Sequence, residues 1–277
     1  MKLINVTIKN FFGLILSLNI LFLLCGDLHS QDLDSNVDFS DAIDAEEKRS
    51  KWGTEEHKQS LIDEMSSANV SLFIDEHLSE ITEPSRIFYK FEKFSTLEDN
   101  FVGNVVLNIV KIDEEKKKYI TFRYLKGRNK VRFPPQIGAK GNPVFMLFFE
   151  RDARDMQRLT GGNALFFRSR IRHAIAATET KDISLNFKGE NISAQEITFK
   201  PFTKTKLKNR VNRYKTKEFR ITMSNKIPGY IYKIETFTKD TQKANDIVRE
   251  TLTFQGIKTN KELREIYKKR KDSGDKS

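Results

Sequence analysis

The stretch Asn142-Pro-Val-Phe-Met-Leu-Phe-Phe-Glu-Arg-Asp-Ala-Arg-Asp-Met-Gln-Arg-Leu159 contains the strongest local signals in the chain. Asparagine before proline is typical of a helix start, because asparagine can cap the first turn and proline fits its first position. Apolar residues then recur at helical spacing, and opposite charges stand four residues apart, as in Glu150 with Arg154 and Arg151 with Asp155. The stretch predicts a helix over 144–159 with one apolar and one ion-paired side.

A second helix is predicted directly after the first. Thr160-Gly-Gly-Asn163 should end the first helix, and Asn163 can cap a second one. The apolar residues of this second helix share one face: Ala164, Phe167, Ile171, Ala174 and Ile175. The two helices form a predicted helical hairpin over residues 143–177.

Segments with strand character lie on both sides of this hairpin. Runs rich in β-branched and aromatic residues, separated by short polar turns, cover 86–94, 101–112, 119–125, 183–188, 192–199, 218–223, 230–237 and 247–254. Such short connections favour antiparallel pairing. The predicted fold is therefore α+β: an antiparallel β-rich domain over 86–256, forming a curved sheet or half-barrel, with the helical hairpin inserted. Residues 257–277 are predicted to form a charged C-terminal helix and tail.

Three motifs in this domain resemble exported alphaproteobacterial proteins of unknown function. They are Gly141-Asn-Pro-Val-Phe-Met-Leu-Phe-Phe-Glu-Arg-Asp152, Thr160-Gly-Gly with Phe166-Phe-Arg-Ser-Arg-Ile-Arg172, and Ile227-Pro-Gly-Tyr-Ile-Tyr-Lys-Ile234. The resemblance covers about residues 86–256. It implies a location in the cell envelope, and it implies neither an activity nor catalytic residues.

The N terminus has the pattern of a secretory signal peptide over residues 1–30. Lys2 and Lys9 precede a mostly apolar run over 11–25, whereas a membrane-spanning helix needs roughly 20 apolar residues. We expect cleavage after Ser30, which leaves a periplasmic protein without cysteine and without a transmembrane segment; an uncleaved anchor is the alternative. Lipidation of Cys25 would need a small residue before it, and Leu24 stands there.

Charge divides the rest of the chain into an acidic leader and a basic body. Residues 31–85 hold 15 acidic and 4 basic residues, whereas 86–277 hold 22 acidic and 43 basic ones. The acidic, apolar-poor stretch 31–50 predicts a flexible linker, and 51–85 predicts a helical leader. A helix over 74–81 in that leader, ended by Pro84, would place His77 on its apolar face as a packed residue.

The search for catalytic and metal-binding motifs yields little. The chain has neither a Gly-x-Ser-x-Gly motif nor a phosphate-binding Gly-x-x-x-x-Gly-Lys-Ser/Thr loop, and its histidines lack the spacing of zinc ligands. The sequence therefore predicts no metal, no cofactor and no catalytic residue. One acid–base cluster is conceivable on the 144–159 helix, but its i, i+4 spacing favours ion pairs: Glu150, Arg151, Asp152, Arg154, Asp155 and Arg158.

Two basic clusters suit anions. Arg168 and Arg172 stand one helical turn apart, with Arg170 between them, and two guanidinium groups at that spacing can share a phosphate or carboxylate. Residues 200–220 hold nine basic residues against Glu218 alone, and the anion-binding candidates there are Lys204, Lys206 and Lys208. The signal peptide argues against nucleic acid. Anionic lipid, a cell-wall polymer or an envelope protein are the predicted partners.

The sequence favours a non-enzymatic periplasmic protein of the cell envelope, with a binding or scaffolding role. The leading hypothesis is that it holds an apolar or amphiphilic ligand with basic residues at the rim. The alternative is a periplasmic hydrolase or transferase whose carboxylates converge from distant segments. A pocket with two convergent carboxylates of perturbed pKa would favour the enzyme, an apolar cavity the carrier, and a filled core the scaffold.

Export provides the first test. The mature protein should begin near Gln31 and fractionate with the periplasm, since Lys2, Lys9 and the apolar run direct it there. N-terminal sequencing of protein recovered from the envelope fraction checks this. Recovery of the intact chain in the cytosol would remove both the predicted location and the argument against nucleic acid.

Overall fold

The computed structural model describes residues 54–203, 209–239 and 246–272. The predicted signal peptide, the linker 31–50, and Lys204, Lys206 and Lys208 lie outside the described residues. The chain divides into two units, Met1–Met65 and Ser66–Ser277. In the first unit, the described residues form helix α1 (Glu55–Asp63), which lies within the segment 51–85 that the sequence predicts to be helical.

The second unit is built on one curved, unclosed antiparallel sheet in the order β4-β3-β2-β1-β9-β8-β7-β6-β5. The strands are β1 (Ser85–Ser95), β2 (Phe101–Ile112), β3 (Lys118–Tyr124), β4 (Gln136–Ile137), β5 (Lys181–Phe187), β6 (Glu190–Phe199), β7 (Glu218–Met223), β8 (Ile231–Lys239) and β9 (Asp246–Thr259). Two meanders, β1 to β4 and β5 to β9, meet where β1 pairs with β9. The predicted α+β fold, with its antiparallel curved sheet and helical hairpin, is confirmed.

Helices connect and extend the two meanders. They are α2 (Ser67–Asn69), continued by a π-helical turn (Val70–Ile74), α3 (Val144–Thr160), α4 (Ala164–Ala176), α5 (Asn260–Asp272) and the 3₁₀ turns Gly127–Asn129 and Asn209–Thr216. The side chain of Asn142 accepts a hydrogen bond from the Val144 amide, and Asn163 accepts one from Leu165. The hairpin α3–α4 therefore begins and turns at the residues that the sequence marks.

The predicted helix over 74–81 is wrong. The helical turns lie earlier, in Ser67–Ile74, and residues 77–80 form turns instead. Tertiary hydrogen bonds replace the helical ones there: the Leu78 amide donates to the Lys140 carbonyl at 3.0 Å. The apolar spacing still identified buried positions, because His77, Leu78 and Ile81 are all buried.

Helix α3 fills the centre of the covered face of the sheet. Its Phe148 ring lies 6.3 Å from Phe91 of β1, and its Phe149 ring lies 5.7 Å from Phe219 of β7. These rings and Phe145 are buried, and each fully buried phenylalanine contributes about 1.5–3 kcal/mol to folding. The interface between the helix and the sheet is therefore occupied by the protein's own aromatic side chains.

A buried hydrogen-bonded hub holds the start of α3. The Asn142 side-chain amide donates to the Tyr89 hydroxyl at 2.9 Å and to the Gly229 carbonyl at 2.7 Å. The Asn142 backbone amide donates to Nδ1 of His77 at 2.9 Å, and Nε2 of His77 donates to the Ser71 carbonyl at 2.7 Å. Two of the motifs that carry the family resemblance, Asn142-Pro and Pro228-Gly, thus meet at one structural joint.

Gly229 gives a test of this hub. It has φ +77°, and a Cβ there would lie 2.8 Å from Ile87 Cδ1 and 2.9 Å from Asn142 Nδ2. We expect Gly229→Ala to lower the free energy of unfolding by roughly 2–4 kcal/mol, because backbone strain and overpacking add. Urea denaturation measures this change.

Gly189 is the matched control. It has φ +90°, but a Cβ there meets nothing within 4 Å. Gly189→Ala should therefore cost only the backbone strain, about 1–2 kcal/mol. Equal losses in the two variants would contradict the close packing around Asn142.

Candidate functional site

A buried ion network lies between α3 and the middle of the sheet. Lys93 stands on the inner face of β1 and is only 3% exposed. Its Nζ contacts Glu250 of β9 at 2.9 Å, Asp155 of α3 at 2.7 Å and Glu98 at 2.6 Å. Three carboxylates therefore surround one ammonium group that is almost out of contact with water.

Arg151 completes this network from the helix. Its Nη1 donates to Glu250 at 2.8 Å and its Nη2 to Asp155 at 2.9 Å, while its guanidinium lies 4.5 Å from the centre of the Phe91 ring. A buried ion pair is tolerated when the remaining donors and acceptors are also satisfied. The shared carboxylates meet that condition for both Lys93 and Arg151.

A second buried pair sits one residue further along α3. Asp152 Oδ1 accepts a hydrogen bond from Lys217 Nζ at 2.7 Å, and both side chains are almost fully buried. The Lys217 ammonium also lies 5.2 Å from the centre of the Phe219 ring. Neighbouring positions on one helix thus enter two different buried ion pairs.

The pKa values of the two buried carboxylates, Glu250 and Asp152, are shifted in opposite directions. Burial alone would raise the pKa of Glu250, but Arg151, Lys93 and Lys217 outweigh it and lower the pKa to about 2. Burial raises the pKa of Asp152 to about 6, because Lys217 compensates only part of the lost hydration. Glu250 therefore stabilises the charged network, whereas Asp152 carries an energetic cost near neutral pH.

The network opens into a cleft of about 450 Å³ between the C-terminal half of α3 and the turn after β3. Six basic and three acidic side chains line it together with Phe101, Asn129 and Val131. The charged lining residues are Lys93, Arg128, Lys130, Arg151, Arg154, Arg158, Glu98, Asp99 and Asp155. We refer to this site as the α3 cleft.

The acidic groups of the α3 cleft are bound by cations from the protein itself. Both oxygens of Glu98 accept from Nη2 of Arg158, at 2.9 and 2.7 Å, and Asp155 Oδ1 accepts from the same group at 3.2 Å. Asp99 accepts from Nη2 of Arg128 at 2.7 Å. The carboxylates are thus engaged, and the cleft offers a ligand mainly guanidinium and ammonium donors.

The arginines of the predicted anion site on α4 have partners that the sequence did not indicate. Arg168 forms two hydrogen bonds with Glu150 of α3, at 2.6 and 2.7 Å, so its guanidinium already holds a carboxylate. Arg170 is exposed and lies over the Phe166 ring, and Arg172 is half-buried one turn after Arg168. Anion binding by Arg168 and Arg172 stays a prediction.

Sequence reasoning missed the partners that α3 finds on the sheet. It identified the ion pairs within the helix, and Glu150–Arg154 and Arg151–Asp155 are both present. It did not connect Arg151 to Glu250, which is 99 residues away along the chain. The available signal was Lys93, a charged residue at an inward position of an alternating strand.

The conceivable acid–base cluster is divided between the open cleft and the buried network. Arg151, Arg154, Asp155 and Arg158 line the α3 cleft, where Asp155 is already paired with cations, whereas Asp152 is buried. Asp152 and Glu250 have perturbed pKa values, but both are buried and neither lines the α3 cleft. Within the described ranges, no group of three or more histidine, cysteine, aspartate and glutamate side chains is arranged to hold a metal ion. The buried carboxylates therefore act as parts of the ion network.

A second open cleft, of about 530 Å³, lies beside the C-terminal helix α5. It is lined by Arg86, Asn260, Leu263, Arg264, Ile266 and Tyr267. Among the residues that the structure covers, no helix combines the length and apolar character needed to cross a membrane.

No protein-family model and no curated protein matches the chain. Among solved structures, it is similar to the MucA/MucB complex of Pseudomonas aeruginosa, with 6% identity and a TM-score of 0.27 over 70% of this chain and 54% of that one. It is also similar to a LolA superfamily protein from Nitrosomonas europaea (9% identity, TM-score 0.21, 70% and 94% covered) and to a DUF1329 family protein from Desulfovibrio piger (8%, 0.23, 70% and 92%).

The chain spans about half the length of the MucA/MucB chain that it matches.

Glu250 provides a test of the ion network. Glu250→Gln keeps the shape but removes one of the two carboxylates that Lys93 and Arg151 share, and it removes the more deeply buried one. It should therefore lower the free energy of unfolding by about 3–5 kcal/mol near neutral pH. The folded-state pKa lies below the ordinary value, so the contribution of Glu250 is present above pH about 4.5 and disappears as the pH falls towards 2. The gap between the variant and the wild type should therefore narrow on acidification.

Glu92→Gln is the control for this measurement. Glu92 lies on the same strand as Lys93, pairs with Lys90 and is about half exposed, so its loss should change stability by about 0.5 kcal/mol or less. Urea unfolding of both variants at neutral and acidic pH provides the comparison. A cost for Glu250→Gln that stays constant down to pH about 2 would contradict the pKa assignment.

Proposed function

We propose that this protein is an exported, non-enzymatic binding component of the cell envelope, located in the periplasm, that presents the α3 cleft to its ligand or partner. The observation that carries this proposal is the contrast between a filled interior and a charged open cleft. The export signal in residues 1–30 supports the location.

The filled interior limits how an apolar ligand could bind. An acyl chain between the helical hairpin and the sheet would have to displace Phe145, Phe148 and Phe149, all of which are buried. In the α3 cleft, by contrast, Phe101 and Val131 provide apolar surface beside basic residues. An amphiphilic ligand with its charged end at this basic rim fits the site better than a wholly apolar one.

The enzymatic alternative finds less support. Catalysis by two carboxylates requires that both reach the substrate, and Asp152 and Glu250 lie beneath the cleft surface. Their shifted pKa values follow from burial and from Lys93, Arg151 and Lys217 as neighbours. Such shifts also occur in structural ion networks, and they do not by themselves mark an active site.

Cross-linking in the native host tests this proposal. A photoreactive residue in place of Asn129, which lines the α3 cleft, should capture an envelope molecule or protein. The same residue in place of Asn186, exposed on edge strand β5, is the control and should capture little. Mass spectrometry identifies the captured species.

Two results would contradict the proposal. Equal capture from Asn129 and Asn186 would show that the α3 cleft has no preferred ligand. Capture of cytosolic components alone would contradict the periplasmic location.

A further inference from the structure

Three of the arginines that line the α3 cleft have hydrogen-bond donors to spare. Arg158 uses Nε and Nη2 on Asp155 and Glu98, which leaves Nη1 without a partner among the described residues. Among the residues that the structure describes, Arg154 donates only from Nε, to Glu150, and Arg128 donates only from Nη2, to Asp99. Three guanidinium groups in one cleft therefore retain N–H donors.

Lys130 adds a further positive charge to this cleft. It is exposed, lines the cleft, and forms no ion pair with any acid in the part of the chain that the structure describes. It stands with Arg128 on the turn after β3, whereas Arg154 and Arg158 stand on α3. Donors thus approach the cleft from two separate elements of the fold.

The charge balance of the cleft matches a doubly charged anion. The lining holds six basic and three acidic side chains. Glu150 and Glu250 pair with lining residues from outside the cleft, and Arg168 in turn pairs with Glu150. With these three groups included, the balance is seven basic against five acidic groups. The remaining excess of two positive charges suits a phosphate dianion better than a single carboxylate.

We infer that the α3 cleft is a binding site for a phosphate monoester group, held between Arg128 and Lys130 on one side and Arg154 and Arg158 on the other. This inference rests on the proposed function and names its ligand class. Arginine suits the role because its planar fork of donors matches phosphate oxygens. Glu150, Glu98 and Asp99 fix three of the guanidinium groups in advance, which lowers the entropy lost on binding.

The phosphate can belong to a lipid head group or to a soluble molecule, and two probes distinguish these sources. Calorimetric titration of the purified full-length protein with inorganic phosphate reports the group itself. Flotation with phosphatidylcholine vesicles, with and without phosphatidic acid, reports a membrane-borne phosphate. Binding of phosphate but not of vesicles assigns a soluble ligand, and binding of both assigns a lipid head group.

The double variant Arg128→Gln with Lys130→Gln tests the site. Both side chains are exposed and the Arg128–Asp99 pair is a surface pair, so folding should be unchanged. Affinity for phosphate should fall about tenfold or more, as expected when two charged contacts are lost. Lys181→Gln with Lys258→Gln removes the same charge from exposed positions outside the cleft and should weaken binding about twofold or less.

The outcomes separate this inference from the proposed function. Equal loss of phosphate affinity in the two double variants would show that binding depends on overall charge and would overturn the inference. The absence of phosphate binding at low salt would also overturn it. Selective cross-linking from Asn129 without phosphate binding would leave the proposed function intact and refute only the ligand class.

Discussion

The contact of Glu250 with both Lys93 and Arg151 is the interaction on which the rest of this structure depends. Glu250 lies on β9 and Lys93 on β1, the two strands through which the meanders join. Arg151 brings helix α3 to that same joint. One carboxylate thus links the two halves of the sheet to the helix that covers them. Its low pKa keeps it charged in the folded protein at neutral pH.

Helix α3 is fixed at both ends by different chemistry. At its start, Asn142 holds the chain to Tyr89, Gly229 and His77 through hydrogen bonds. Its first half packs aromatic rings against the sheet, and from Arg151 onwards it enters the ion network. Aromatic packing alone tolerates shifts of a helix along a sheet, because apolar contacts are not directional. The buried polar groups at the two ends define one position, since any other would leave them unpaired.

The sequence predicted most of the fold because its signals were local. Helix α3 begins at Asn142-Pro143 and ends before Gly161, and the strands follow runs with alternating or β-branched residues. The prediction was wrong where contacts between residues far apart in the sequence determine the local structure. At 74–81, the helix that the apolar spacing favoured is replaced by hydrogen bonds to a distant segment: the Asn142 amide donates to His77, and the Leu78 amide donates to the Lys140 carbonyl.

The candidate site was harder to predict for the same reason. A linear sequence shows that Arg151 can pair with Asp155, four residues away, and this pair exists. It does not show that Lys93 also pairs with Asp155 and that Glu250 also pairs with Arg151, because these contacts require the pairing of the first and last strands. The anion site predicted at Arg168 was based on helical spacing alone. That spacing could not show that Glu150 of the neighbouring helix pairs with Arg168.

The way in which the carboxylates of the ion network are already paired determines which ligands the α3 cleft can attract. The carboxylates of Asp155 and Glu98 form ion pairs with Lys93 inside the protein and with Arg158 at the surface. A cation entering the cleft would have to displace these donors, and the freed lysine is almost fully buried. An anion meets guanidinium groups that already stand in position, with donors to spare. The inferred preference of the cleft for anions therefore rests on how the buried network pairs its acids, and the number of basic residues on the surface would not by itself produce it.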